Sequence, residues 1–231
     1  YTEENTLSLH DALPICMLTP RLTWKVAGSK KIYLTFDDGP TPEITDYILS
    51  MLDKYDAKAT FFCLGKNAAR HPELVRRITD AGHALGNHTY CHTKGWKVST
   101  AEYVAGVERA AEVLPSRLFR PPYGRITQCE AKALVEKGYR IVMWNNISQD
   151  YNHNVSPEEC VRKVTRHLHG GDIIVFHDSV KASRNMMYAL PRVLEEIRSR
   201  GIETDILRAN YTFLCRNDYF CTLNGITNKQ K

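Results

Sequence analysis

The sequence predicts an α/β domain in which helices cover a mainly parallel β-sheet. Between about residues 21 and 207, short apolar runs alternate with longer segments whose apolar residues recur at three- and four-residue steps, as in Ile44, Ile48 and Leu52. Several longer segments begin with residues typical of helix starts and end at a glycine. This alternation predicts parallel strands joined by helical crossovers. The six repeats favour a (β/α) barrel, and an open doubly wound sheet is the alternative.

Each apolar run is a predicted strand, and a predicted helix follows it. Three helices have a proline in their first turn, where the missing N–H has no partner to lose, after Thr41, His71 and Ser156. Three glycines are expected to end helices just before the next strand, namely Gly82, Gly138 and Gly201. The predicted strands are 31–36, 59–63, 84–86, 118–120, 140–144 and 172–176, and the predicted helices are 42–55, 72–81, 100–114, 128–137, 157–168 and 186–200.

Composition and charge exclude several classes of protein. Hydrophobic residues make up 43% of the chain and charged residues 25%, as in ordinary globular domains. No apolar run approaches the roughly 18–20 residues that a membrane-spanning helix needs, so we expect no transmembrane segment. The net charge of +5 comes from scattered basic residues rather than from a basic cluster with aromatic residues. We therefore expect no nucleic-acid partner.

Both ends of the chain fall outside the strand–helix pattern. Residues 1–19 are interpreted as a non-native or poorly ordered leader, because residues 7–15 resemble translated cloning sequence and no signal peptide is visible. Residues 20–207 are expected to form a single domain, and residues 208–231 an irregular C-terminal tail of unknown role.

The cysteine pattern does not determine the redox compartment. The seven cysteines form no C-x-x-C pair, and an odd number cannot all pair with one another. Cys63 and Cys91 are expected to pack as small apolar side chains. A disulfide between Cys215 and Cys221 is an open alternative.

Reactive side chains recur where the predicted strands end. Each of them alone is compatible with a solvated loop, but five strand ends of this kind indicate one site, because the loops after the strands build the active sites of parallel α/β folds. These residues are Asp37 and Asp38 after the first strand, His88 and His92 after the third, Arg120 at the end of the fourth, Asp150 beyond the fifth and His177 after the sixth.

Three of these residues are candidate metal ligands. His88 and His92 are four residues apart, which would place both imidazoles on the same side of a helical turn. The turn at Gly39-Pro40 could bring Asp38 to the same ion and Asp37 beside it. Two imidazoles and one carboxylate leave open coordination positions, as in catalytic sites. Zn is the expected metal, Co, Ni and Mn accept the same donors, and non-haem iron oxygenases use the same ligand types.

Five motifs together closely resemble the polysaccharide deacetylases of carbohydrate esterase family 4, the NodB homology domain. They are TFDDGP at 35–40, NHTYCH at 87–92, RPPYG at 120–124, WNNISQDY at 144–151 and IIVFHD at 173–178. The resemblance covers roughly residues 22–206 and implies a distorted (β/α) barrel. Departures from the family pattern are Ile147 in place of an Asp, Tyr151 in place of a Trp and Thr93 in place of a Pro. They bear on substrate preference more than on the chemical step.

The resemblance also implies a role for each candidate residue. It makes Asp37 the general base, held by Arg120, and it makes His177 the general acid, oriented by Asp150. The implied metal ligands are Asp38, His88 and His92. The backbone N–H of Tyr123 would stabilise the oxyanion. The side chains implied to contact the substrate are Tyr123, Trp144, Tyr151 and Val175.

The implied function is metal-dependent removal of N-acetyl groups from glycans that contain N-acetylglucosamine, such as peptidoglycan or chitin oligosaccharides. The alternatives are an O-acetyl esterase of the xylan type on the same site, a catalytically silent glycan-binding domain and a metal-dependent oxygenase. The expected partner is an acetylated glycan. A monomer is favoured, although the sequence does not determine the oligomeric state. The family suggests an extracytoplasmic or cell-envelope location.

Overall fold

A computed structural model describes residues 22–210 and 213–214 of the chain. Its helices are α1 (Ile44–Lys54), α2 (Gly65–Arg70), α3 (Pro72–Asp80), α4 (Thr100–Ala111), α5 (Gln128–Glu136), α6 (Pro157–Thr165) and α7 (Ser183–Ser199). Its strands are β1 (Leu22–Thr23), β2 (Lys25–Val26), β3 (Tyr33–Asp37), β4 (Ala59–Cys63), β5 (Ala84–Asn87), β6 (Leu118–Phe119), β7 (Arg140–Val142), β8 (Asn146–Ile147), β9 (Ile173–His177) and β10 (Phe213–Leu214).

Eight parallel strands form one sheet in the order β1-β7-β6-β5-β4-β3-β9-β8. The sheet curls strongly, since the side chain of Arg120, just after β6, hydrogen-bonds to Thr35 on β3 although β5 and β4 lie between these strands. The N–H of Val26 also donates to the carbonyl of Gly171, which links the start of the chain to the approach to β9. The predicted single-domain distorted (β/α) barrel is confirmed.

Strand residues alternate between the two sides of the curled sheet, as side chains of extended backbone must. On β3, Leu34 and Phe36 belong to the large core that the helices cover. Tyr33 instead joins Phe62, Val142 and Ile173 in a smaller cluster on the inner side of the curl. Asp37 lies on the inner side with Tyr33 and is paired in register with His177 of β9. The inner side therefore ends in polar residues at the carboxyl ends of the strands.

The longer predicted elements are confirmed, and the shortest ones were missed. All six predicted strands and all six predicted helices have counterparts within a few residues. Ser156 caps α6 by accepting the Glu159 N–H, as its position predicted. Helix α1 begins later than predicted, at Ile44, and its cap residue Glu43 has a φ of 65° and no side-chain cap. No sequence pattern indicates α2 or the two-residue strands, because these elements are too short to show a period.

Two smaller predictions were wrong. Phe213–Leu214, within the tail expected to be irregular, pairs antiparallel with β2. Cys91, expected to be packed, is exposed, whereas Cys63 is buried as expected. The proposed leader, residues 1–19, and the possible pair Cys215 and Cys221 lie outside the described residues. No helix in the described ranges is long and apolar enough to span a membrane.

Candidate active site

The first motif places two adjacent carboxylates on different parts of one site. Asp37 is the last residue of β3, and its side chain points to the inner side of the sheet. The next residue, Asp38, has a φ of 79°, so the chain turns here, one residue before the turn expected at Gly39. Gly39 fits closely against Asp178, because a Cβ added to Gly39 would lie 2.1 Å from the Asp178 Oδ2. The turn thus keeps both carboxylates at the carboxyl end of the sheet.

The segment from His88 to His92 is a loop, so the predicted helical turn is wrong. Thr89 and His92 have φ values of 65° and 58°, which a helix does not allow. The loop is held instead by hydrogen bonds to α2, since the N–H groups of Gly65 and Lys66 donate to the carbonyls of residues 89 and 90. Both imidazoles nevertheless face one point, because the left-handed residues turn the chain between them.

The structure brings Asp38, His88 and His92 together. Their possible ligand atoms all lie within 4.8 Å of one another. The His88 Nε2 is 3.7 Å and the His92 Nε2 is 3.4 Å from the Asp38 Oδ1. The Nδ1 of His88 lies 2.7 Å from the Arg120 carbonyl. A carbonyl only accepts hydrogen bonds, so the Nδ1–H donates to it and the Nε2 is the ring nitrogen left to face a ligand.

These three side chains could hold a divalent metal ion. The Asp38 Oδ1 is buried and has no hydrogen-bond partner among the described residues, which is unfavourable unless another group binds it. Burial, and then the neighbouring His88, lower the pKa of His92 to about 4, so this imidazole is neutral and can donate its lone pair. Burial alone would raise the pKa of Asp38, but the neighbouring charges, that of His177 first, lower it below its usual value and keep this carboxyl ionised. Two imidazoles and a carboxylate fit such an ion.

Arg120 connects Asp37 to the inner wall of the sheet. Its side chain is fully buried, and one terminal N–H group donates to Asp37 Oδ1 at 2.7 Å. The remaining donors bond to the Thr35 hydroxyl and to the carbonyls of Val142 and Met143. Because every donating edge is engaged, the guanidinium cannot rotate, and the orientation of the Asp37 carboxylate is fixed with it.

His177 and Asp150 form a second pair in the site. The Nδ1 of His177 lies 2.7 Å from one Asp150 oxygen, and the backbone N–H of His177 donates to the other. Burial alone would lower the pKa of His177, but Asp150, with smaller contributions from Asp38 and Asp37, raises it to about 9. This imidazole is therefore protonated at neutral pH, and its Nε2–H is the proton available for transfer.

The residues expected to contact substrate surround these groups. The Tyr123 ring lies 4.4 Å from the His92 ring between centroids, and its backbone φ of 60° is left-handed. Tyr151 meets the His177 ring edge-on at 4.8 Å. Trp144 lies against Gly124, where an added Cβ would approach its ring to 2.6 Å, and Val175 is buried on the inner side of β9. All four side chains therefore lie around the centre or on its inner wall.

Sequence reasoning missed several residues near the site. Trp96 and Tyr123 are both 41% exposed and meet edge-to-face at 5.6 Å, with Lys94 above the Tyr123 ring and Arg125 above the Trp96 ring. Asp178, which follows His177, is buried against Gly39. Lys94, Trp96 and Arg125 lie outside the five motifs, and Asp178 ends the motif at 173–178 but was given no role. The exposed Trp96 and the basic residues beside it were the available indications.

A curled parallel (β/α) sheet with carboxylates and imidazoles at its carboxyl edge places the chain in the (β/α)-barrel class of folds, in which active sites lie at that edge. A family model described as polysaccharide deacetylase matches residues 25–142. Two peptidoglycan-N-acetylglucosamine deacetylases from Bacillus cereus are each 34% identical to the chain. The match to one covers 74% of this chain and 64% of the relative, and the match to the other covers 79% and 89%.

A solved structure shows the same fold. The crystal structure of the Bc1960 peptidoglycan N-acetylglucosamine deacetylase has a TM-score of 0.78 and 30% identity, over 84% of this chain and 94% of that one. The chain belongs to the polysaccharide deacetylase family, as the five motifs predicted. It spans 64% of the length of the first Bacillus cereus relative, a little under two thirds.

Proposed function

We propose that this protein is a metal-dependent hydrolase that removes N-acetyl groups from glycans containing N-acetylglucosamine, such as peptidoglycan or chitin oligosaccharides. The observation that carries this proposal is the contrast between two adjacent carboxylates. Asp38 shares a cluster with His88 and His92, whereas Asp37 is hydrogen-bonded to the buried Arg120. The names of the Bacillus cereus relatives support the substrate class. We assign the activity to residues 20–207 and propose a cell-envelope location.

Asp38, His88 and His92 would hold the metal ion, for which Zn is our first choice, with Co, Ni and Mn as alternatives. When bound, such an ion makes water a stronger nucleophile at neutral pH and polarises the acetyl carbonyl. The buried, unpartnered Asp38 Oδ1 and the His88 tautomer support this assignment. The open side of the three-ligand set would accept water and substrate.

Asp37 acts as the general base in this proposal and takes the proton of the attacking water. Its carboxylate is held by Arg120 at 2.7 Å, so it does not need to reorient when the substrate binds. Arg120 is therefore a positioning residue for the base.

His177 acts as the general acid and gives its Nε2 proton to the sugar nitrogen as the amide bond breaks. The Asp150 carboxylate holds the Nδ1–H, so the Nε2 is left to face the reaction. A pKa raised to about 9 keeps the proton on this imidazole until it is needed. An amine cannot leave as an anion at neutral pH, so this proton is required.

The remaining residues bind and orient the acetyl group in this proposal. The backbone N–H of Tyr123 would meet the negative charge that develops on the carbonyl oxygen. Val175 and Trp144 would form the wall for the acetyl methyl group, and the Tyr151 ring beside His177 would lie against a sugar ring. Their positions around the centre support these roles.

The proposal is tested by acetate release from chitotetraose, from peptidoglycan glycan strands and from acetylated xylan, with chelator and metal add-back. We expect release from the N-acetylated glycans, loss with chelator and recovery with a divalent metal. Release from xylan alone would favour the O-acetyl esterase, and no release from any substrate would favour a silent glycan-binding domain.

Two variants test the proton-transfer roles. Asp37→Asn and His177→Ala should each lower kcat by ~10²–10⁴-fold, which is the usual contribution of general acid–base catalysis. The exposed residues Asp53 and His167 provide matched controls, because Asp53→Asn and His167→Ala make the same changes before the amino ends of β4 and β9, at the opposite edge of the sheet from the site. An unchanged kcat in either test variant would remove that residue's assigned role.

A further inference from the structure

Two exposed aromatic rings beside the centre each have a cation above them. We name Trp96, Tyr123, Lys94 and Arg125 the cationic platform. The Lys94 Nζ is 5.0 Å from the centroid of the Tyr123 ring, and the Arg125 Cζ is 5.2 Å from that of the Trp96 ring. The two rings are 5.6 Å apart between centroids. Both are 41% exposed, so a ligand can reach the rings and the cations together.

The cationic platform adjoins the proposed metal ligands directly. The Tyr123 ring lies 4.4 Å from the His92 ring and 5.6 Å from the Trp96 ring, so Tyr123 joins the proposed metal ligands to Trp96. A glycan with one acetamido group at the centre would therefore place a neighbouring sugar over these rings. Aromatic rings stack against the apolar face of a sugar whether or not that sugar is charged, so the rings alone give no charge preference.

The two cations of the platform are not neutralised by neighbouring carboxylates. Within residues 22–210, neither Lys94 nor Arg125 forms an ion pair. The acidic side chain next to this segment is Glu130, which lies against Gly95. Glu130 is buried, and its carboxylate accepts the Thr127 N–H at 2.7 Å in a capping box. The positive charge of the platform is therefore available to a ligand.

We propose that the cationic platform binds a carboxylate-bearing sugar next to the residue that is deacetylated. This inference rests on the proposed deacetylase function and specifies its substrate class as acidic N-acetylated glycans. The sugar stacks on Trp96 and Tyr123, and its carboxylate is paired with Lys94 and Arg125. A carboxylate can come from a lactyl ether or from a uronic acid, and the platform chemistry is the same for both.

Three tetrasaccharide probes test the inference. The neutral probe is chitotetraose, one acidic probe alternates N-acetylglucosamine with lactyl-bearing N-acetylmuramic acid, and the other alternates N-acetylglucosamine with glucuronic acid. The full chain is assayed with metal for kcat/KM of acetate release. Equilibrium binding of the same probes is measured by calorimetry in the Asp37→Asn background, where turnover is slow.

The test variants are Lys94→Gln and Arg125→Gln, which remove charge with little change in size. The matched control is Lys54→Gln, because Lys54 also lies over a tyrosine ring, that of Tyr55, but at the far end of α1. We define the preference as kcat/KM for an acidic probe divided by kcat/KM for the neutral probe. Each test variant should lower this ratio by about fivefold, which corresponds to the upper range for one exposed ion pair. Lys94→Arg should restore the preference, and Lys54→Gln should not change it.

The outcomes separate this inference from the proposed function. A preference for either acidic probe that both test variants reduce supports the platform and identifies the source of the carboxylate. An acidic-to-neutral ratio that neither variant changes, with acetate still released, overturns the platform and leaves the deacetylase. If no probe releases acetate, the deacetylase proposal fails. In that case calorimetry still tests whether the cationic platform binds acidic sugars, since equal affinities for the acidic and neutral probes would refute that claim.

Discussion

Replacing Arg120 tests whether the Asp37–Arg120 pair behaves as a buried ion pair. Both side chains are buried, and the guanidinium makes its four hydrogen bonds within the wall of the sheet. We expect Arg120→Met to leave a buried carboxylate without a counter-charge. Arg120→Met and Asp37→Asn, combined in a double-mutant cycle, isolate the interaction between the two residues from the other effects of each change.

The expected magnitudes follow from these contacts. Removing one partner of a buried ion pair costs about 3–5 kcal/mol, and Arg120→Met also leaves the Val142 and Met143 carbonyls without a donor, so its cost should be at the upper end, about 5 kcal/mol. Asp37→Asn keeps an oxygen that can accept from Arg120, so its cost should be about 2 kcal/mol. The double variant should cost less than the sum, with a coupling energy of about 3 kcal/mol.

The assay is urea unfolding of the full chain with chelator present, so that metal binding does not contribute. The matched control is the surface pair of Arg77 and Asp46, whose side chains are 54% and 43% exposed. The cycle of Arg77→Met and Asp46→Asn should give a coupling of about 0.2–1 kcal/mol. Equal coupling energies for the buried and exposed cycles would refute the reasoning. Arg120→Lys replaces Arg120→Met if the latter does not fold.

Three further predictions concern pH and metal. Asp150→Asn removes the carboxylate that raises the pKa of His177, so the basic limb of the kcat profile should move to lower pH; an unmoved limb would contradict the pairing. Chelator should lower the free energy of unfolding by about 2.7 kcal/mol relative to metal at a hundredfold excess over its Kd, and His92→Ala should abolish that difference. Burial lowers the pKa of His83 to about 4, so the unfolded chain binds the extra proton and stability should fall by about 2 kcal/mol as pH drops from 6.5 to 4. His83→Gln should remove that dependence in urea unfolding at a series of pH values.

The sequence predicted the long elements because their apolar residues are periodic. The alternation on β3 and the helical period on α1 both follow from which faces are buried. The two-residue strands and α2 were missed because a period cannot be recognised over so few residues. Helix α1 starts late because Glu43 takes a left-handed conformation, which no local preference for that residue predicts.

The sequence predicted which residues form the candidate site, but it did not predict the geometry of the loops that carry them. Carboxylates and histidines at successive strand ends indicated one centre, and the structure brings them together. The spacing of His88 and His92 predicts a helical turn, but spacing alone does not reveal the left-handed conformation of Thr89. Trp96 lies outside the five motifs and reaches the site only through tertiary packing, and the contact of Asp178 with Gly39 cannot be read from its place at the end of the motif at 173–178.

Most of the non-glycine residues with left-handed backbone in the described part of the chain lie around the proposed active site. Five non-glycine residues around the centre have left-handed φ values, namely Asp38, Thr89, His92, Tyr123 and Gln149. Such conformations cost of order 1–3 kcal/mol each, and this strain is present in the folded protein before any glycan binds. Screens for heat resistance would therefore favour glycine at Gln149, which has no assigned role, since glycine relaxes the backbone there. We expect Gln149→Gly to gain melting temperature while the neighbouring Asp150 becomes less well aligned, so that thermal stability and turnover would be selected against each other at this residue.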